Sequence, residues 1–256
     1  MTQNEEGVGF ISHLTELRKR LIHCFIFLFS IFVICYFFSD YIYGFLVDPY
    51  YSAVKEDGTE RRLIFTALQE TFLTYLKVSF FTAFFITSPF ILIQIWKFIA
   101  PGLYKHEKSA LVPYLIITPI LFILGGMLVY YLIMPLAIKF FLSFESSGAI
   151  TNLPIQLEAK VNEYLSLIMK LIFAFGLSFQ LPVVLSLLAR IGIIDSTFLK
   201  QRRKYVIIII FTAAAILTPP DPITQIGLAI PLLILYELSI FSVKLIEKKN
   251  KEREHA

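Results

Sequence analysis

The chain has 256 residues, is 57% hydrophobic and only 16% charged, and carries a net charge of +4 with a mean hydropathy of +0.74. Ordinary soluble domains hold about 25% charged residues, and this much apolar surface cannot be hidden inside a soluble fold of this length. Composition therefore excludes a soluble enzyme, a disordered chain and a disulfide scaffold. It leaves an all-α polytopic membrane protein, because a helix satisfies its own backbone in lipid and an open sheet does not.

Residues 12–21 place Leu14, Leu17 and Leu21 on one face, which predicts a short amphipathic helix at the membrane surface. The apolar run behind it, residues 21–39, shows no small-residue cleavage site and is expected to stay as a helix. Cys24 and Cys35 both lie in it, about 16 Å apart on one helix and too far to bridge. Further uncharged stretches cover residues 78–96, 109–138 and 171–189, the last extended upstream from 164. Each meets the requirement of about 20 apolar residues.

The last two stretches are weaker. Residues 205–217 would make a helix of only about 20 Å before Thr218-Pro219-Pro220-Asp221. Residues 223–243 are long enough but contain Glu237. Either both span a locally thinned bilayer or they form a re-entrant hairpin, and both choices return the C-terminus to one side. The reading is six transmembrane helices in one membrane domain over 1–256. Prolines inside or beside the spans (Pro89, Pro113, Pro119, Pro135, Pro182, Pro231) bend helices, which predicts a cupped, concave bundle.

Orientation follows from the basic residues. Arg18, Lys19 and Arg20 fall on the same side as Lys97, Lys105 and Lys108. So do Arg190, Lys200, Arg202, Arg203 and Lys204, and with them Lys244, Lys248, Lys249, Lys251 and Arg253 in a basic tail over 244–256. These are 16 of the 23 Lys and Arg residues, which puts both termini in the cytoplasm. External loops then run over 40–70, with Asp48-Pro49, and over 139–163.

Two acids stand out on the basic side. Glu16 lies four residues before Arg20, and Glu107 is the lone acid of the loop Trp96 to Lys108. Each is readable as a locally neutralised surface charge. If the two converge, they make a site for a pair of guanidinium groups, which bind carboxylates bidentately. Glu237 is readable either as a functional intramembrane acid or as a shallow residue near the cytoplasmic end.

The segments His13-Leu14-x-Glu16-Leu17-Arg18-x-Arg20, Phe98-Ile99-Ala100-Pro101-x-Leu103-Tyr104-x-x-Glu107 and Leu217-Thr218-Pro219-Pro220-Asp221 resemble the TatC family, the multispanning subunit of the twin-arginine protein translocase. The resemblance covers almost the whole chain, in order. It implies a receptor for twin-arginine signal peptides that exports folded proteins with single-span TatA- and TatB-type subunits, self-associates, and draws on the proton-motive force. It carries over Glu16 and Glu107 as the arginine-binding acids, with Phe98 beside them and Arg18 in a structural or electrostatic role. Pro49, Pro101, Leu103, Tyr104 and Asp221 match family positions. Gln180 stands where many relatives have Glu, and it is expected to keep a polar spot without charge. Lys160 and Lys170 put positive charge where an acid or an apolar residue is expected; Lys170 is expected to snorkel or to pair with Glu163. The implied location is a bacterial inner membrane or an organellar one.

There is no phosphate-binding loop and no nucleophile elbow, and His13, His23, His106 and His255 are not spaced as metal ligands. The basic clusters are not interleaved with aromatics as in a nucleic-acid surface. No enzymatic activity, cofactor or nucleic-acid partner is expected. A secondary transporter of small solutes is the competing reading; the absence of comparable repeated halves argues against it.

Overall fold

The computed structural model describes residues 3–56, 62–99, 112–146, 153, 155–218 and 222–254. Among them the elements are helical: α1 (Gln3–Phe37), α2 (Ser39–Glu56), α3 (Glu70–Ile99), α4 (Val112–Leu128), a π-helical segment (Val129–Ile133), α5 (Met134–Leu142), α6 (Val161–Ser178), α7 (Leu181–Arg190), α8 (Ser196–Leu217) and α9 (Pro222–Glu254). Extended pairing among the described residues is confined to the isolated bridges Ile64–Lys160 and Ser146–Ile155.

Among the described residues, five stretches are long and apolar enough to cross a membrane: Leu14–Phe37, Glu70–Phe98, Pro113–Leu142, Val161–Arg190 and Thr224–Lys248. These contain the first four expected spans and the last. The fifth, α8, is longer than expected because it starts at Ser196, but its first half carries Lys200, Arg202, Arg203 and Lys204. Residues 12–21 form no helix of their own; they run without a break into the rest of α1. The stretch expected as an external loop from residue 40 begins as helix α2, with Pro49 inside it. The basic residues from Lys244 onward continue the last helix, since α9 runs to Glu254.

The chain divides into two compact units, Met1–Ile42 with Tyr75–Pro119, and Tyr43–Thr74 with Ile120–Ala256. In the first, α1 lies antiparallel to α3: Phe32 meets Phe80 edge-on at 6.2 Å, Phe27 meets Phe90 at 4.9 Å, and Arg20 reaches Gln94. Trp96 donates its indole N–H to Thr118 Oγ1 at 3.2 Å, tying α3 to α4. Pro89 leaves the Phe85 carbonyl without its helical N–H, and the Ser88 hydroxyl donates to that oxygen at 2.7 Å.

In the second unit, proline chemistry shapes three more places. The π segment ends two residues before Pro135, where the N–H ladder is interrupted. α6 stops at Ser178, the carbonyl that Pro182 cannot serve, so one expected span is two helices, α6 and α7. Pro49 strands the carbonyl of Phe45 four residues back. The Tyr130 hydroxyl, from the π segment, donates to that oxygen at 2.7 Å, and the Tyr164 hydroxyl, from α6, donates to Leu46 O at 3.0 Å. The Tyr130 ring also stacks on Phe45 at 4.5 Å and 7°, and Tyr164 meets Tyr50 edge-on at 5.5 Å. Two tyrosines thus hold α2 at its proline.

The core of this unit includes Phe122, Ile133, Met134, Leu165, Ile168, Leu171, Phe175 and Leu228, all under 3% exposed. α4 and α6 cross closely at Gly125 and Gly176. A Cβ at 125 would sit 2.7 Å from the Phe175 carbonyl oxygen, and one at 176 would meet the Phe122 ring at 2.7 Å. α7 ends in a glycine cap: Gly192 has φ +77°, its N–H donates to Ala189 O and the Ile193 N–H to Leu188 O. α8 then starts on Asp195, whose carboxylate accepts from the Phe198 N–H at 2.6 Å. Glu247 of α9 adds a second clasp, accepting from the Ser196 N–H and from its hydroxyl at 2.6 Å. Tyr236 donates to Leu199 O at 2.8 Å, and Ala189, Leu199, Tyr236, Ile240 and Val243 form the apolar seam joining α7, α8 and α9.

Candidate functional site

The first apolar span begins with a charged knot. Glu16 and Arg20 are one turn apart on α1, the spacing at which side chains face each other. Arg20 donates from Nε at 3.0 Å and from Nη2 at 2.6 Å, both to Glu16 Oε1. Its remaining terminal nitrogen, Nη1, donates to Gln94 Oε1 of α3 at 2.7 Å. The local ion pair expected at this spacing is therefore present, and a glutamine 74 residues away fixes its far end. Gln94 is a member of this cluster that spacing along the sequence does not reveal.

Phe98 follows Gln94 by four residues and so shares its face of α3, half-buried. Arg18 is exposed and lies two residues from Glu16, on a different side of α1. Glu107, Pro101, Leu103 and Tyr104 lie outside the described residues, as does Asp221.

The remaining singled-out residues sit in the other unit. Pro49 lies inside α2, where Tyr130 donates to the Phe45 carbonyl that it leaves free and Tyr164 to the neighbouring Leu46 carbonyl. Gln180 is buried in the turn between α6 and α7, where its Nε2 donates to Gly176 O at 3.3 Å. Glu237 accepts from Arg203 of α8 at 2.6 Å, with both side chains about half exposed. It is a paired acid beside the charged half of α8. Of the two expectations for Lys170, snorkelling or pairing with Glu163, the second is not the contact found among the described residues: Glu163 faces Lys160 at 3.7 Å, an exposed pair.

A family model described as Sec-independent protein translocase protein (TatC) matches residues 12–231. The chain belongs to the TatC family. A TatC protein of Magnetococcus marinus is 48% identical over 252 residues, spanning 98% of this chain and 90% of that protein. TatC of Escherichia coli (strain K12) is 36% identical over 250 residues, spanning 98% and 93%. A crystal structure of the twin arginine translocase receptor TatC superposes with a TM-score of 0.78 at 40% identity, covering 92% of this chain and 99% of that one. As a TatC-family member the chain is a multi-pass membrane component of a protein translocase. The small-solute transporter reading finds no support, since these matches span nearly the whole chain.

Proposed function

We propose that this chain is the signal-peptide receptor and core scaffold of a twin-arginine translocase in a bacterial inner membrane, exporting folded proteins. Six helices span, α8 among them, and both termini are cytoplasmic. The placement of 16 of the 23 Lys and Arg residues supports this orientation.

In this mechanism the paired arginines of a signal peptide meet Glu16 and Glu107 at the cytoplasmic surface, with Phe98 alongside and Arg18 contributing to the local field. The apolar part of the peptide then follows the helices into the bilayer. Single-span TatA- and TatB-type subunits, and further copies of this chain, dock on exposed helix faces to complete the passage. Energy comes from the proton-motive force, and the chain itself carries out no catalytic step. Asp221 and Gln180 serve as a turn residue and a polar spot within the scaffold.

The observation that carries this reading is that Glu16 receives a guanidinium through two N–H donors at 3.0 and 2.6 Å. That one oxygen of this carboxylate takes two N–H donors of a single guanidinium supports Glu16 as an acceptor for the group that a twin-arginine leader presents. The test is charge reversal, Glu16→Lys with Glu107→Lys, in protein that still inserts. Binding of an Arg-Arg peptide and export of a folded reporter should both be lost. Normal binding and export would show that the acids are not the receptor.

A further inference from the structure

Inside the second unit, a cleft of about 360 Å³ runs between α5 and α6. That volume is within the range of small-ligand sites, which are mostly apolar with a few placed polar groups. Its walls include Met134, Ile138 and Phe141 from α5, Leu167 from α6, and the buried rings of Tyr50 and Tyr164. Its charged lining gathers at one end, in Glu158, Lys160 and Glu163, where one span stops at Leu142 and the next begins at Val161. The cleft is therefore charged at a face of the bilayer and apolar where it runs inward. Glu163, Leu167 and Lys170 follow at i, i+4 and i+7 on α6 and share one face. Lys170 is exposed within the span, about 14 Å along α6 from its start. Among the described residues no ion pair or hydrogen bond engages it. A lone ammonium inside a bilayer is costly and reaches for a counter-charge at the interface. Helical side chains lean toward the helix N-terminus, so Lys170 leans along its face toward the charged end of the cleft.

We propose that this cleft binds one phospholipid with an ethanolamine headgroup, its acyl chain between α5 and α6, its phosphate on Lys170 and its ammonium at Glu163. Glu158, Lys160, Glu163 and Lys170 sum to no net charge, which suits a headgroup carrying one charge of each sign. Glu163 keeps room for an ammonium, because its side chain is 72% exposed and its contact with Lys160, at 3.7 Å, is too long for a hydrogen bond. An ethanolamine ammonium donates N–H groups to that carboxylate in a charge-assisted bond. A choline has no N–H to give. A glycerol headgroup answers Lys170 but sets its lone negative charge against both acids. Binding here requires only that α5 and α6 cross the bilayer, so it stands apart from the receptor role of Glu16.

The full chain in detergent is titrated with ethanolamine, choline and glycerol phospholipids of identical acyl chains, and the affinity for the first bound lipid is read by native mass spectrometry. The ethanolamine lipid should bind about tenfold tighter than either of the others. Lys170→Leu should weaken it about tenfold, whereas Lys170→Arg should stay within about threefold of the unchanged chain. Glu163→Gln should bring the ethanolamine and choline lipids to equal affinity. Leu167→Trp, which fills the cleft from a half-exposed wall, should weaken all three lipids. If Lys170→Leu does not fold, Glu163→Gln and Leu167→Trp decide by the same readout. Equal binding of the three headgroups, or no change in Lys170→Leu, overturns the proposal. A glycerol lipid bound tightest would make this a site for anionic lipid and overturns it too. So does a Leu167→Trp variant that binds lipid normally but loses an Arg-Arg signal peptide, which would make the cleft part of the peptide's path.

Discussion

The docking of α2 on two tyrosines can be tested by removing one oxygen atom. Tyr130→Phe leaves the ring in its stack on Phe45 and takes away only the hydroxyl that donates to Phe45 O at 2.7 Å. That carbonyl has no helical partner because residue 49 is proline. Interhelical hydrogen bonds within membrane proteins average about 0.6 kcal/mol and reach about 1.7, whereas a buried acceptor left with no donor costs about 1–3 kcal/mol. Tyr130 is 8% exposed, so water is a poor substitute donor. The expected loss is about 1.5 kcal/mol. For a chain of this size that is a fall of about 3–6 °C in the midpoint of thermal unfolding, followed by circular dichroism in detergent. The decisive comparison is made in a Pro49→Ala background. Alanine restores an N–H that can reach Phe45 O, so the same Tyr130→Phe change should then cost less than about 0.5 kcal/mol. The resulting coupling of about 1 kcal/mol is the signature of two donors competing for one carbonyl. An equal loss in both backgrounds would refute the reasoning.

Two further substitutions probe the packing and the charges. Gly125→Ala would place a methyl group 2.7 Å from a backbone oxygen of α6, which cannot move aside as a side chain can. It should destabilise the protein by at least about 2 kcal/mol, read in the same unfolding assay; a neutral result would mean that α4 and α6 separate freely. Glu237→Gln and Arg203→Gln break a half-exposed ion pair. Each should cost under about 1 kcal/mol and leave export near normal, and loss of export in Glu237→Gln with the fold intact would instead make Glu237 a working acid.

The spans were legible because lipid selects uncharged stretches, and α3, α4 to α5, and α6 to α7 follow them closely. The helix α2 was not legible in this way. Asp40, Asp48, Pro49 and Lys55 make it read as a loop, and what holds it is supplied by Tyr130 and Tyr164, about 80 and 115 residues further along the chain. Helices α8 and α9 outrun their apolar cores because lysine, arginine and glutamate are good helix formers. The charges that stopped the reading of a span do not stop a helix. Asp195 and Gly192 were available as start and stop signals and mark the true boundary of α8. In the candidate site, the spacing of Glu16 and Arg20 announces their pairing, whereas Gln94 enters only through the antiparallel packing of α1 on α3. The partner of Glu237 was hidden for the same reason, since Arg203 lies on a different helix.

The clasp of Glu247 on Ser196 has a mechanical consequence for the surrounding lipid. With its first turn pinned to α9 and its second held by Tyr236, α8 is denied the lengthwise slip by which a short hydrophobic helix could recentre itself. Its apolar stretch from Tyr205 to Leu217 covers about 20 Å against a hydrocarbon thickness of about 30 Å. For a spanning α8, that mismatch would be met by thinning of the bilayer along this flank rather than by a shift of the helix.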